Sequence, residues 1–258
     1  MLEPESLEVL TDDIGFCTRN LKHPKCTLRH AGRFYEELCQ KQRARGISRL
    51  LLNADSDGFC HDLIESGRTW RHFFARCAKD GYSDFYMACS RSEPFFDALA
   101  AGSFELARAL AALSPKSVRT GDEYEDDYCY ARFFHCLVLE ENAVVIEAVL
   151  EQFEAALDGG TNARLEICRA LWTRKTPDVF EEAFLALLEE RKEEVRKEQG
   201  PRTLAVETNQ NVFVEGLGVL RLAERAGLST RREYELCPAL ARLPMEKPPP
   251  ASTFGDDT

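Results

Sequence analysis

The densest chemistry in the chain is Asp122-Glu123-Tyr124-Glu125-Asp126-Asp127, five carboxylates within six residues, followed at once by Tyr128 and Tyr130. Carboxylate oxygens suit hard divalent cations, but these residues lack the alternating spacing of a calcium-binding loop, although Gly121 precedes them. Just before an apolar run, Tyr128-Cys129-Tyr130-Ala131-Arg132-Phe133-Phe134, acids also complement the positive end of a helix. A third role is capture of a basic partner, since dense like charge repels itself and attracts its opposite. Tyrosine between the acids supplies rigid contact area with a polar tip. On that ground Asp122, Glu123, Tyr124, Glu125, Asp126, Asp127 and Tyr128 form the candidate contact surface for a basic protein.

Other reactive residues are more dispersed. Cys17, His23, Cys26, His30 and Cys39 crowd the first 40 positions, and Cys26 with His30 has the i,i+4 spacing of one helix face. Zinc accepts thiolate and imidazole, yet no paired-ligand frame is present, so no metal or other cofactor is expected. A nucleophilic thiolate needs a neighbouring base. Cys60-His61 and His135-Cys136 are adjacent, but consecutive helical side chains point about 100° apart and do not form a dyad. His135 therefore reads as a structural histidine. No complete catalytic motif or phosphate loop is present, and the chain is not expected to be an enzyme.

Bulk composition narrows the classes. The 258 residues are 44% hydrophobic and 30% charged, which suits a globular protein with a substantial core. A net charge of −11 argues against nonspecific binding to nucleic acid or anionic membranes. The acidic start, Met1-Leu2-Glu3-Pro4-Glu5, is unlike a signal peptide, and no apolar run nears the roughly 20 residues that span a bilayer. These features predict a cytoplasmic location. There the ten cysteines, none in a C-x-x-C pair, are expected to be reduced and buried.

The elements that must position these residues are helical. Phe34, Leu38, Gln42 and Arg45 through Leu50–Leu52 predict one long helix; Cys60, Leu63, Ile64, Trp70, Phe73, Phe74 and Cys77 predict another, broken near Gly67. Around Ser92–Leu110, Pro94 suits a first turn, Gly102 a stop and Ser103 a cap, giving a helix hairpin. Further helices are expected at about 125–140, from Val144 to Gly159-Gly160, around Leu165–Trp172, and from Thr176-Pro177-Asp178 onward. The last of these continues into a charge run, Glu189–Glu198, read as a solvated face with Glu193 and Lys197 one turn apart. A final helix spans Val212–Ala223 and closes at Gly227, with Gly216 and Gly218 permitting close packing. Strand-like alternation is scarce. The expected fold is all-α: stacked antiparallel helix hairpins in one large domain, loosely repeat-like, with no strict period. Residues 1–90 form an N-terminal helical region packed on a core of 91–243, and the proline-rich 244–258 is expected to be extended and disordered.

Several of these segments resemble the immunity protein 49 family. They are Phe95–Gly102, Leu106–Ser114, Glu123–Phe133, Phe180–Arg191, Phe213–Leu220 and Tyr234–Pro238, so the likeness runs from about Phe95 to Leu243. The resemblance implies a helical bacterial immunity protein that neutralises a cognate toxin domain, with a basic nuclease among the toxins that fit. It leaves specificity open between the acidic segment, which lies inside the shared pattern, and the N-terminal region. A helical scaffold, with a homodimer interface, and a cysteine- or metal-dependent enzyme are the competing functions.

Overall fold

A computed structural model describes residues 3–172, 176–197 and 203–255. Eleven α-helices are present among them: α1 (Glu5–Lys22), α2 (Leu28–Asn53), α3 (Ser56–Asp80), α4 (Glu93–Ala100), α5 (Phe104–Leu113), α6 (Glu125–Leu139), α7 (Ala143–Ala156), α8 (Ala163–Trp172), α9 (Pro177–Lys197), α10 (Leu204–Asn209) and α11 (Val214–Arg225). Short 3-10 turns occupy Phe85–Met87 and Ala239–Arg242. The described residues contain no β-strand, only isolated bridges at Thr120–Glu123 and Tyr234–Cys237. The fold is all-α, and no helix in the described residues is long and apolar enough to cross a membrane.

Local sequence explains the helix ends. Asp55 starts α3 by accepting a 2.9 Å hydrogen bond from the Gly58 amide. At its other end Gly81 adopts φ 60°, letting the Tyr82 amide donate back to the Cys77 carbonyl. Pro94 lies in the first turn of α4, and Gly102 at φ 72° separates α4 from α5. Ser103 occupies the cap position of α5, but its side chain makes no cap bond. Gly67 does not break α3. The helix runs through it, and the missing side chain admits Leu106 and the Pro94 carbonyl from the next hairpin.

Consecutive helices pair as antiparallel neighbours: α1 with α2, α2 with α3, α4 with α5, α6 with α7, and α8 with α9. Contacts between non-consecutive helices bind these pairs, chief among them α11 on α4 and then α10 on α2. Gly218 makes the first possible, because a side chain there would meet Leu99 and the Phe96 carbonyl at 3.1 and 3.3 Å. One apolar core runs from Cys17 to Ala241 and crosses residue 90 without interruption. All ten cysteines are free thiols, nine of them buried.

Over 244–255 the proline-rich tail is extended and hydrogen-bonded to α3. Glu246 N donates to Asp57, Thr253 N donates to Glu65, and Arg68 donates to the Pro250 carbonyl at 2.7 Å. His61 Nε2 lies 2.9 Å from the Lys247 carbonyl, and Phe254 stacks on His72 with ring centres 4.6 Å apart. Positions 57, 61, 65, 68 and 72 recur at three and four residues, so one face of α3 holds the tail. Met1-Leu2, Glu198 at the end of the charge run, and 256–258 lie outside the described residues.

Candidate functional site

The acidic segment enters α6 from a loop that its own side chains organise. Glu123 accepts from the Arg119 and Ser90 amides, at 2.9 and 2.8 Å. Asp122 pairs with Arg119, which also donates to Ser83 Oγ at 2.7 Å. Gly121, at φ 90°, supplies the turn between them. Glu125 accepts from Gln152 at 2.7 Å, and Asp127 accepts from Arg164 at 2.8 Å. Tyr128 is only 4% exposed and donates to the Lys116 carbonyl at 2.7 Å, so its phenol is a core group and not a contact anchor. That corrects the expectation for Tyr128. Tyr124 is the opposite case: it sits at the cap of α6 with 79% of its surface exposed.

Asp122, Glu123, Tyr124 and Asp127 form one wall of a polar cleft, which Glu125, Asp126 and Tyr128 do not line. A cavity of about 740 Å³ is lined by Asp122, Glu123, Tyr124, Asp127, Tyr130 and neighbours; a second, of about 660 Å³, extends along α9 and α10. Glu93, Arg164 and Glu215 line both, so the two adjoin. The first holds five carboxylates against Arg91 and Arg164, so it is acidic. Glu190, Arg191 and Glu194 of the charge run line the second. That run is therefore not merely solvated, and Glu193 pairs with Arg196 rather than Lys197.

Arg164 is the hub. Besides Asp127, it reaches Glu194 at 3.5 Å and Glu190 at 4.0 Å, and its guanidinium stands 5.2 Å from the Tyr130 ring centre. Tyr130 donates to Glu215 at 2.7 Å. Burial raises the pKa of Glu215 and of Asp127, against the opposing pull of Arg164. Burial alone would lower the Arg164 pKa, but Glu215, Tyr130, Glu194 and Asp127 together raise it. The arrangement holds its charges in place and leaves a net negative wall, which suits a cationic surface patch.

The sequence missed one Cys–His contact. Cys89 Sγ lies 3.5 Å from His135 Nδ1, though 46 residues separate them. Only a hydropathy pattern burying both could have hinted at it. Burial pushes the Cys89 thiol well up and pulls His135 down to about 3. Both groups are held neutral, the reverse of an activated thiolate–imidazolium pair. The early Cys/His cluster does not converge either: Cys17 and Cys39 are core residues, and His30 Nδ1 lies beside Thr27 Oγ1 at 3.1 Å. Among the described residues no group of three or more His, Cys, Asp or Glu is placed to hold a metal ion.

Fold and site together define a helical protein with an acidic surface cleft and an exposed tyrosine at its rim. The chain belongs to a family of immunity proteins, the immunity protein 49 family, whose model matches residues 26–241. The match reaches further toward the N-terminus than the resemblance from Phe95 and takes in α2 and α3. Neither a curated protein nor a solved structure matches the chain.

Proposed function

We propose that the protein binds a cognate bacterial toxin domain in the cytoplasm and neutralises it by stoichiometric, non-covalent contact, without catalysis. Tyr124 carries this reading: a large aromatic side chain, 79% exposed, on a loop fixed by the Glu123, Asp122 and Arg119 hydrogen bonds. An anchor that is already ordered loses little freedom on binding, and tyrosine is enriched among interface residues that dominate affinity. The acidic cleft beside it fits a toxin with a basic face, and a nuclease is the enzyme class in which such a face is most expected.

The test is co-purification with the product of the adjacent toxin gene and titration of toxin activity. Complete inhibition at one equivalent is expected, with an association rate that falls as salt rises. Asp122 and Glu123 hold the loop, so the informative variants are Tyr124→Ala and Asp126→Asn. Tyr124→Ala should speed dissociation at least tenfold in a protein that melts normally. Asp126→Asn should slow association about twofold or more at low salt. A toxin that stays active in excess protein would sink the proposal.

A further inference from the structure

Where α1 ends, the turn into α2, the last turns of α3 and the tail surround a cavity of about 410 Å³. In a chain of net charge −11, its walls carry Lys22, His23, His72 and Arg76 and, among the described residues, no carboxylate. Lys22 and Arg76 donate to neutral groups. Lys22 Nζ donates to the Thr253 carbonyl at 2.8 Å, and Arg76 Nη1 donates to the Tyr35 hydroxyl at 3.2 Å. That hydroxyl lies 2.8 Å from His72 Nδ1. Among the described residues neither Lys22 nor Arg76 has a carboxylate within ion-pairing distance, although Asp80, one turn beyond Arg76, acts on it from further off.

Lysine carries three N–H donors and arginine five, and a single bond to a carbonyl or phenol leaves most of them for a ligand. Two such side chains around one concavity favour an anion with several acceptor oxygens, through charge-assisted hydrogen bonds. The aromatic wall restricts the choice further. Phe254 already stacks on His72, and Lys22 Nζ stands 5.6 Å from its centre, so the ring is engaged within the protein. Recognition then falls to the oxyanion rather than to a planar ring of the ligand.

We propose that this cavity is an oxyanion site that takes inorganic phosphate, or the phosphoryl end of a small monoester, between Lys22 and Arg76. Thr253 and Phe254 complete it, so the site exists only with the tail docked. Lys22 and both tail residues lie outside the family match at 26–241, which makes the site a feature of this chain rather than of the shared core. It does not depend on the toxin reading.

The test is calorimetric titration of the full chain with sodium phosphate against sodium chloride at matched ionic strength, alongside thermal melting. One saturable phosphate site is expected, with a melting temperature that rises as it fills. Lys22→Gln with Arg76→Gln should weaken binding at least tenfold, and Phe254→Ala should weaken it too. Arg33→Gln, which changes an exposed arginine paired with Glu37, should leave it unchanged. Should the Arg76 change disturb Tyr35 and the fold, Lys22→Gln alone decides, because Lys22 donates to the tail at Thr253. No saturable heat, or undiminished binding in folded Lys22→Gln, would overturn the site; equal stabilisation of every variant by phosphate would mark general salt exclusion and overturn it as well. A parallel titration with glycerol phosphate assigns the natural ligand to the ester if it binds more tightly, and to the free anion if it does not.

Discussion

Asp97 accepts two hydrogen bonds from Arg43, at 2.6 and 3.0 Å, and one from Ser66 at 2.6 Å, with none of its own surface exposed. A buried ion pair adds little over an apolar pair of the same shape, but half of one is very unfavourable. Asp97→Ala should therefore lower unfolding free energy by about 3–5 kcal/mol, while Arg43→Met with Asp97→Leu should recover most of that loss. Urea unfolding of the three proteins checks the order. His135 makes a second prediction at this scale. Its folded pKa of about 3 lies below the ordinary 6.5, chiefly through burial and secondarily through Arg132. Above pH 6.5 both states are neutral and the residue has no pH effect. Below it the unfolded chain takes the proton first, so stability falls as pH drops from 6.5 toward 3, by about 2 kcal/mol at pH 5. His135 packs edge-on against Phe95 at 4.5 Å, and its Nε2 has no hydrogen-bond partner, so phenylalanine fits the ring's place. The difference in stability between wild type and His135→Phe, followed from pH 7 to pH 5, should shift toward the variant. A constant difference would refute the assignment.

At the scale of elements, most of the helices were legible because their signals are local. Pro94 with Gly102, and Thr176-Pro177-Asp178, act within a turn of their own position, and the structure places helix boundaries at both. Gly67 misled for the complementary reason. Glycine lowers helix propensity locally, but the groups that require it, Leu106 and the Pro94 carbonyl, arrive from 27 or more residues away. The acidic segment shows the same limit: its charge was plain in the sequence, whereas which acids bind backbone amides and which face the cleft depends on Ser90, Gln152 and Arg164. Gly218 extends the lesson into a prediction. In an isolated helix, replacing glycine by leucine would favour the helical state by about 1 kcal/mol. Here α11 meets the Phe96 carbonyl, a backbone atom that cannot rotate away. Gly218→Leu should separate α11 from α4 and destabilise the protein by about 1–3 kcal/mol or more, despite better propensity. Thermal melting gives the sign directly, and a stabilised variant would show that the close approach is dispensable.

For the whole molecule, chain order and spatial order part at the C-terminus. Composition marked 244–258 as an extended segment, and over 244–255 its prolines bury little. What composition omits is the row of acceptors and donors waiting on α3. Asp57, His61, Glu65 and Arg68 contact main-chain groups of the tail, so almost any extended sequence would satisfy them, and the Met245 and Phe254 side chains add packing. The strap joins the end of the chain to α1 through Lys22 and to α2 through the Phe254–Tyr35 ring contact at 5.8 Å. It thereby closes the N-terminal helices against the rest of the molecule, while the family match stops short of it at residue 241. Each hydrogen bond contributes about 0.5–1.5 kcal/mol net, against the entropy of ordering the segment. Ending the chain after Leu243 should therefore remove about 2–4 kcal/mol in all, which for a protein of this size corresponds to a drop in melting temperature of about 5–15 °C. The loss should be uneven. Amide hydrogen exchange should accelerate most in α1 and along the exposed face of α3, and least in α6 and α11, which the tail does not touch. Unchanged melting together with unchanged exchange in α1 would show that the tail rests on the surface without holding it.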